Sequence, residues 1–388
     1  MDFFLNGFSA LGTGLVGYGL PFLVVLTIVV FFHELGHFLV ARWAGVRVLT
    51  FSVGFGRELV GFTDRYGTRW KLSLIPLGGY VRFFGDESEA STPASASTLE
   101  AMSENDRKVS FHHKSVPARA AIVAAGPIAN FLLAIVIFAG LYSIYGKPNV
   151  SPLVEGVEVG SPAEAAGFKV GDLVTAIDGT VIETFSDMKR IVSTRAGQEL
   201  AIAVKRGDSN LVLRVTPALR ETKDAFGNTL KEGVLGVRHV GKPGDVATEK
   251  VGPLTALGLG AKQSWLIVEE TGRFLQKVFT GRGGGEQIGG PIRIAQLSGQ
   301  AASLGLDYFM NLTAVISVSI GLLNLFPVPL LDGGHLLYYA VEFVRGRPLS
   351  ERAQEMGFRV GLALVLMLMI YATYNDILHI RSVLKVAS

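Results

Sequence analysis

Four stretches of the chain are almost free of charged side chains for about 20 residues, the length an α-helix needs to cross ~30 Å of hydrocarbon. They run from about Pro21 to Ala41, Ala120 to Tyr145, Phe309 to Leu331 and Val360 to Leu378. Between the first two, Val48 to Arg82 is apolar, yet Gly54, Gly56, Gly61, Gly67, Gly78 and Gly79 interrupt any helical period. Arg69, Lys71 and Ser73 alternate there with Trp70, Leu72 and Leu74, the period-two pattern of a strand. Glu58–Thr63 and Thr68–Leu74 therefore flank an Asp64-Arg65-Tyr66-Gly67 turn as a hairpin. An apolar hairpin next to a span can dip into the bilayer only where protein or a water-lined cavity satisfies its edge.

Glu87 to Glu104 is rich in Ser, Thr, Ala and acidic residues, the composition of a flexible insertion. Residues 150–220 alternate strand-like runs (Val154 to Val159, Leu173 to Ile177, Leu200 to Lys205, Leu211 to Thr216) with capped helical segments at Ser161-Pro162 and Ser186 to Thr194. This order resembles one PDZ domain of the bacterial protease-associated type, which would bind peptide ends or strands by β-augmentation. Residues 221–250 are too few for a second copy and read as linker. Leu254 to Phe279 has the mixed character of an amphipathic surface helix, and Gly281 to Gly290 breaks it.

Composition agrees with a membrane protein: 388 residues are 49% hydrophobic and only 18% charged, with a mean hydropathy of +0.40. A balance of 36 basic against 33 acidic residues provides no concentrated positive field for nucleic acid. The absence of cysteine excludes disulfides, thiolate metal sites and thiol nucleophiles. No Lys or Arg precedes Arg42, whereas Arg42, Arg47, Arg57, Arg65, Arg69, Lys71 and Arg119 follow the first span, and Arg345, Arg347 and Arg352 follow the third. The positive-inside rule then places the N-terminus outside, 42–119 inside, 146–308 outside, 332–359 inside and the C-terminus outside. Residues 1–20 carry no basic n-region, so the sequence predicts no cleaved signal peptide.

The chemistry concentrates in His33-Glu34-Leu35-Gly36-His37. Histidines at i and i+4 project from one helix face and can hold one zinc, with the intervening Glu placed to take a proton from water. Inside a span such ionisable residues are costly unless used or paired, which makes them functional-site candidates by default. Catalytic zinc commonly takes three protein ligands, and Asp332 is the best third candidate, because it ends the uncharged stretch from Tyr308 to Leu331. Spans one and three run in the same direction, and both groups fall near their inner ends, so they can meet at one depth. Pro327 and Pro329 break the helix beside this site, and broken backbone at membrane depth is tolerated where it lines a cavity or meets another chain. His335 is not assigned as a ligand. Asn324 and Asn130 read either as interhelical packing or as substrate contacts. Gly12-Thr13-Gly14-Leu15-Val16-Gly17 opens a span without a preceding strand, Gly281 to Gly285 lacks a phosphate-loop Lys, and His112-His113 lies in a polar loop, so these are set aside.

Together these residues resemble the site-2 protease family of intramembrane zinc metalloproteases, in its bacterial regulator-of-sigma-E protease type. The likeness rests on His33 to His37, Gly54-Phe55-Gly56, Gly126-Pro127 with Asn130, the PDZ-like module, Gly289-Gly290-Pro291-Ile292 and Asn324 through Gly334. It departs from the best-known members of that type in having one PDZ-like module in place of two. The resemblance implies Zn2+ held by His33, His37 and Asp332, with Glu34 as acid/base. It also implies substrate contacts at Gly54, Phe55, Gly56, Asn130, Asn324, Pro327 and Pro329. Implied partners are single-span membrane proteins already trimmed by another protease, such as anti-sigma factors, and remnant signal peptides.

The expected architecture is thus a polytopic α-helical membrane protein of four transmembrane helices with a membrane-associated β-hairpin and one extracytoplasmic PDZ-like domain, in a bacterial inner membrane. Its parts are the N-terminal span with HExxH (1–41), a cytoplasmic hairpin and loop (42–119), span two (120–145), the PDZ-like domain (150–220) and a linker with the amphipathic helix (221–308). Span three (309–331), a cytoplasmic loop (332–359) and span four with the C-terminus (360–388) follow. A zinc transporter or sensor would need further ligands along a pore, which spans two and four lack apart from polar residues at their ends, and a non-catalytic scaffold would have no use for Glu34.

Overall fold

The computed structural model describes residues 15–86, 101–148, 150–223, 229–238, 248–281, 285 and 288–387. Two compact units result: Met1–Leu141 with Pro253–Ser388, and Tyr142–Gly252. Among the described residues, four helices are long and apolar enough to cross a membrane: Val16–Trp43, Val116–Tyr145, Leu306–Asn324 and Glu351–Arg381.

In the first unit, a π-helical turn at Leu15–Gly19 leads into α1, Leu20–Trp43, with Pro21 in its first turn. The helix stops where Gly45 adopts φ +70°, the left-handed conformation that ends many helices. Two long strands follow, β1 (Val48–Thr63) and β2 (Arg69–Phe83). The sheet is larger than the short hairpin read from the sequence. Phe51 pairs with both Val81 and Trp70, and Trp70 pairs with Phe62 as well, so the bent strands lie in the order 79–83, 48–53, 69–72, 58–63. Gly54 and Gly56 make the bend in β1 at φ +88° and +82°, angles that a side chain would strain.

At the tip, Asp64 accepts the backbone N–H groups of Tyr66 (2.9 Å) and Thr68 (3.0 Å) and pairs with Arg42 of α1 at 3.0 Å. Burial raises the Asp64 carboxyl, but these N–H donors, the Trp70 indole and Arg42 outweigh it and leave it below its ordinary value. Helix α2 (Glu104–Val109) precedes α3 (Val116–Tyr145), which continues through Pro127. Phe38, Ala41, Phe51, Val81, Phe83, Phe111 and Ile122 form one buried cluster, with Leu336 and Tyr339 packed against it. That cluster locks α1, the sheet and α3 into one body.

The second unit continues with β3 (Lys147–Pro148), β4 (Gly156–Val157), α4 (Pro162–Ala165), β5 (Leu173–Ile177), β6 (Thr180–Val181), α5 (Phe185–Thr194), β7 (Leu200–Arg206) and β8 (Ser209–Val215). Strands β6-β5-β7-β8 make a four-stranded sheet. Val154, Val174, Ile177, Met188, Leu200, Ile202 and Val204 are buried in its core, each contributing roughly 1.5–3 kcal/mol where burial is complete. Arg206 clamps the buried Asp172 with two bonds of 2.6 and 2.8 Å, and holds its carboxyl below the usual range.

The linker expected from residue 221 onward is different in the structure. Strands β9 (Ala218–Lys223) and β10 (Thr229–Val234) pair with each other, β11 (Val237–Arg238) pairs with β4 and β12 (Thr248–Glu249) with β3. Leu235 enters the core. These strands are short and polar; β9 and β10 pair locally, whereas β11 and β12 pair with partners distant in sequence.

The first unit resumes with α6 (Pro253–Phe279), α7 (Pro291–Leu304) and α8 (Leu306–Asn324). Span three therefore ends at Asn324, seven residues before the limit read from hydropathy, because Pro327 and Pro329 cannot continue the helix. Residues 325–331 form an irregular turn with Leu330 at φ +113°. In place of the expected loop, Asp332 opens a new helix, α9 (Asp332–Arg345). The last helix, α10 (Glu351–Ala387), is longer than the apolar stretch that marks it. Gly12–Gly14, most of the 87–104 stretch read as a flexible insertion, and parts of Gly281–Gly290 lie outside the described residues.

Candidate metal centre

His33 and His37 lie one turn apart on α1, with ring centroids 4.8 Å apart. Gly36 between them faces α3 so closely that a Cβ there would strike the backbone carbonyl of Ala125. Gly126 of α3 leaves the space in which both rings sit: a Cβ on it would fall 2.5 Å from His37 Cε1 and 2.9 Å from His33 Cε1. Gly126, one of the residues that carry the family likeness, is the floor of the histidine pair in the structure. On the other side, the irregular turn and the start of α9 deliver Asp332. Gly333 and Gly334 allow this, since a Cβ on either would collide with the carbonyls of Leu325, Phe326 or Val328.

Asp332 Oδ2 is 3.1 Å from His33 Nε2 and 3.6 Å from His37 Nε2, and the two Nε2 atoms are 3.2 Å apart. Four ligands placed tetrahedrally about zinc at ~2.0–2.1 Å lie about 3.3–3.4 Å from one another. The three atoms therefore already have the spacing of a tetrahedral face. Asp332 Oδ2 is buried and makes no well-directed hydrogen bond, an arrangement that is costly for a carboxylate unless a cation completes it. The donor set, two imidazoles and a carboxylate, suits zinc. Among the described residues these three form a metal-holding cluster with all ligand atoms within 4.8 Å.

The other ring nitrogens are held as well. His37 Nδ1 lies 2.9 Å from the Ile122 carbonyl oxygen and His33 Nδ1 lies 3.2 Å from the Asn130 side chain. A carbonyl oxygen has two lone pairs, so Ile122 can accept from His37 beside its helical bond, and no side-chain pattern could have signalled a backbone acceptor. Glu34 lies between the two histidines in the sequence of α1, and its Cγ packs against Gly79 of β2, where a Cβ would come within 3.1 Å.

The remaining sequence candidates are distributed around this centre. Gly54, Phe55 and Gly56 form the bend of β1, with Phe55 stacked on Tyr80 at 6.0 Å between ring centres. Asn324 closes α8, Pro327 is exposed in the irregular turn, and Pro329 packs against α10 at Gly357, 3.5 Å from its would-be Cβ. None of these is a member of the metal-ligand cluster. His335 is one turn beyond Asp332 and edges the Tyr338 ring at 6.3 Å. His112, set aside as part of a polar loop, is 2.8 Å from Asp86 and mostly buried.

Two supports were missed. Arg119 of α3 reaches Glu342 of α9 at 2.7 Å and lies over the Tyr339 ring, tying the helix that carries Asp332 to the one that carries Gly126. Asp376 of α10 accepts the N–H groups of Gly290 (2.8 Å), Ile292 and Arg293 (both 3.1 Å), and so caps α7 from another helix. The acid near the end of an apolar stretch was the available signal.

A HExxH pair on an apolar, span-length helix, joined by a carboxylate from a broken helix, defines a zinc metalloprotease centre in a membrane protein. Residues 21–368 match the model of Peptidase family M50, and the chain belongs to that family, the site-2 proteases. A protein of Rhizobium meliloti (strain 1021) that carries a zinc metalloprotease name is 52% identical over 361 residues, 93% of this chain and 96% of its own. Another so named, from Agrobacterium fabrum, is 48% identical over 373 residues, 96% of this chain and 99% of its own. Metalloprotease MmpA of Caulobacter vibrioides is 40% identical over 377 residues, covering 92% and 94%. Among solved structures, the PDZ domain of an SdrC-like protein from Listeria monocytogenes aligns with 24% of this chain and 90% of its own at 24% identity, with a TM-score of 0.19. The protein is a metalloprotease, and its metal is zinc.

Proposed function

We propose that the enzyme hydrolyses peptide bonds inside the transmembrane segments of single-span membrane proteins. The observation that carries this reading is that the metal cluster is built on α1, a helix long and apolar enough to span a bilayer. Water and peptide must therefore reach the histidines at membrane depth. His33, His37 and Asp332 hold the ion, which when bound polarises a carbonyl and makes water more acidic. Glu34 takes the proton from the attacking water and returns it to the leaving amide nitrogen.

A helical substrate hides its carbonyls in hydrogen bonds and must unwind to be cut. The β1–β2 sheet offers backbone partners to the extended segment, with Gly54, Phe55 and Gly56 at its bend, while Asn324 at the end of α8 and Pro327 and Pro329 in the irregular turn supply further substrate contacts. Substrates with helix-weakening residues are favoured. By family likeness they are anti-sigma factors trimmed outside by another protease, and remnant signal peptides. The membrane is the bacterial inner membrane. The β-rich module, PDZ-like by its sequence pattern, lies with both termini on the outer side, and the metal lies near the cytoplasmic face.

The test is cleavage of a tagged single-span substrate by purified zinc-loaded protein, beside Glu34→Gln and a chelator-treated sample. Cleavage that disappears in both, with zinc retained by Glu34→Gln, supports the reading. Glu34→Gln is expected to lose about 10²–10⁴-fold in rate. Tight zinc binding with several helix-weakened substrates left intact would point to transport or sensing instead.

A further inference from the structure

The two zinc histidines differ in what faces their outer nitrogens. A neutral imidazole that gives Nε2 to a metal must carry its proton on Nδ1, so Nδ1 needs an acceptor. His37 has one, the Ile122 carbonyl oxygen at 2.9 Å. His33 Nδ1 instead faces the amide nitrogen of Asn130 at 3.2 Å, which would set donor against donor. At the same time Asn130 Oδ1 is buried with no hydrogen-bond partner. Amide oxygen and nitrogen are interchangeable by a half-turn about the last bond, and the hydrogen-bond network decides between them.

We infer that Asn130 is the positioning residue of the zinc ligand His33, its amide turned so that Oδ1 accepts the His33 Nδ1–H and frees Nε2 for the metal. This inference rests on the zinc reading of the cluster. It gives Asn130 a task separate from the substrate contact implied by family likeness.

The surroundings hold the amide in place. Asn130 is fully buried on α3, four residues after Gly126 and on the same helix face. Its backbone carbonyl accepts the Ser317 hydroxyl of α8 at 2.8 Å. Gly321 of α8 brings that helix so near that a Cβ there would be 3.1 Å from Asn130 Cβ. The spacing of α3 and α8 thus fixes where the amide can reach, and the reach ends at His33. One zinc histidine is oriented by a backbone carbonyl and the other by a side chain, so only His33 can be uncoupled by mutation.

The test titrates the full-length, metal-free protein with zinc against a chromophoric chelator, for wild type, Asn130→Leu and Asn130→Asp. Leu removes the acceptor at similar volume and is expected to weaken zinc about 10- to 100-fold, the usual cost of losing a partner behind a metal ligand. Asp can only accept, and is expected to bind zinc at least as tightly as wild type. Wild-type affinity in Asn130→Leu would overturn the inference, and so would an Asn130→Asp as weak as Asn130→Leu, since that would mean His33 needs a donor. If Asn130→Leu does not fold, Asn130→Asp decides alone against wild type: affinity equal to or tighter than wild type supports the inference, and a loss of about 10-fold or more overturns it. A wild-type protein that binds no zinc would sink the metal reading itself, whereas a zinc-binding wild type with unaffected variants would sink only the role of Asn130.

Discussion

Replacing Gly126 by Ala adds one methyl group at the floor of the histidine pair. That Cβ would fall 2.5 Å from His37 Cε1 and 2.9 Å from His33 Cε1, where ordinary contact begins near 3.4 Å. His37 Nε2, the ligand atom itself, would be struck closer still, so the two rings would have to retreat by at least about 0.9 and about 0.5 Å, well beyond the roughly 0.2 Å tolerance of a metal-ligand bond. Neither ring can retreat without lengthening its link to Ile122 or Asn130. Alanine favours helix over glycine by about 1 kcal/mol, so the metal-free fold should not suffer. The expected result is a normal helical circular-dichroism spectrum with zinc affinity reduced about 100-fold and cleavage reduced at least as much, since a displacement of ~1 Å at a reacting centre costs about 10²-fold. Chelator competition and a zinc-to-protein ratio read the first, a gel-based cleavage assay the second. Wild-type zinc affinity in Gly126→Ala would refute the geometry of the site.

Three further outcomes are expected. Arg206 holds the Asp172 carboxyl below its ordinary range, so its stabilisation of the β-rich unit is full above about pH 4 and is lost as pH falls toward the lowered folded value. Asp172→Asn should therefore speed amide exchange in β5 and β7 at pH 7 but differ little from wild type in strong acid. Asp376→Ala removes the acceptor of three N–H groups at the start of α7 and should cost about 1–2 kcal/mol of local stability, the scale of a lost helix cap, seen as faster exchange at residues 290–293. Glu342→Gln leaves Arg119 without its charged partner, and should loosen α9 and weaken zinc through Asp332, with a smaller effect than Gly126→Ala in the same chelator competition.

Much of the centre could be read from residue order because each ligand carries its own local signal. His33 and His37 repeat at the helical period inside a stretch otherwise free of cost-bearing groups, and Asp332 interrupts a long uncharged run. What the order could not show depends on shape or on backbone. The void above Gly126 and the carbonyl of Ile122 leave no mark on a hydropathy pattern. Span three was extended over Leu325–Leu331 because those residues are apolar, although Pro327, Pro329 and the positive φ of Leu330 end the helix at Asn324. The strands beyond residue 220 were read as linker because two- to six-residue polar strands have too little alternation to register, and the partners of β11 and β12, β4 and β3, lie about 80–100 residues earlier. Asp376 was counted as the polar end of a span, since its partners are backbone amides of a different helix.

The central claim is that the zinc cluster on α1 cuts peptide bonds at membrane depth. Its most direct test is mass spectrometry of the fragments released from a single-span substrate reconstituted in liposomes with the zinc-loaded enzyme. The expected scissile bond lies within the apolar segment of the substrate, displaced toward the cytoplasmic side. A cut confined to the polar flanks, from an enzyme carrying one zinc per chain, would contradict it.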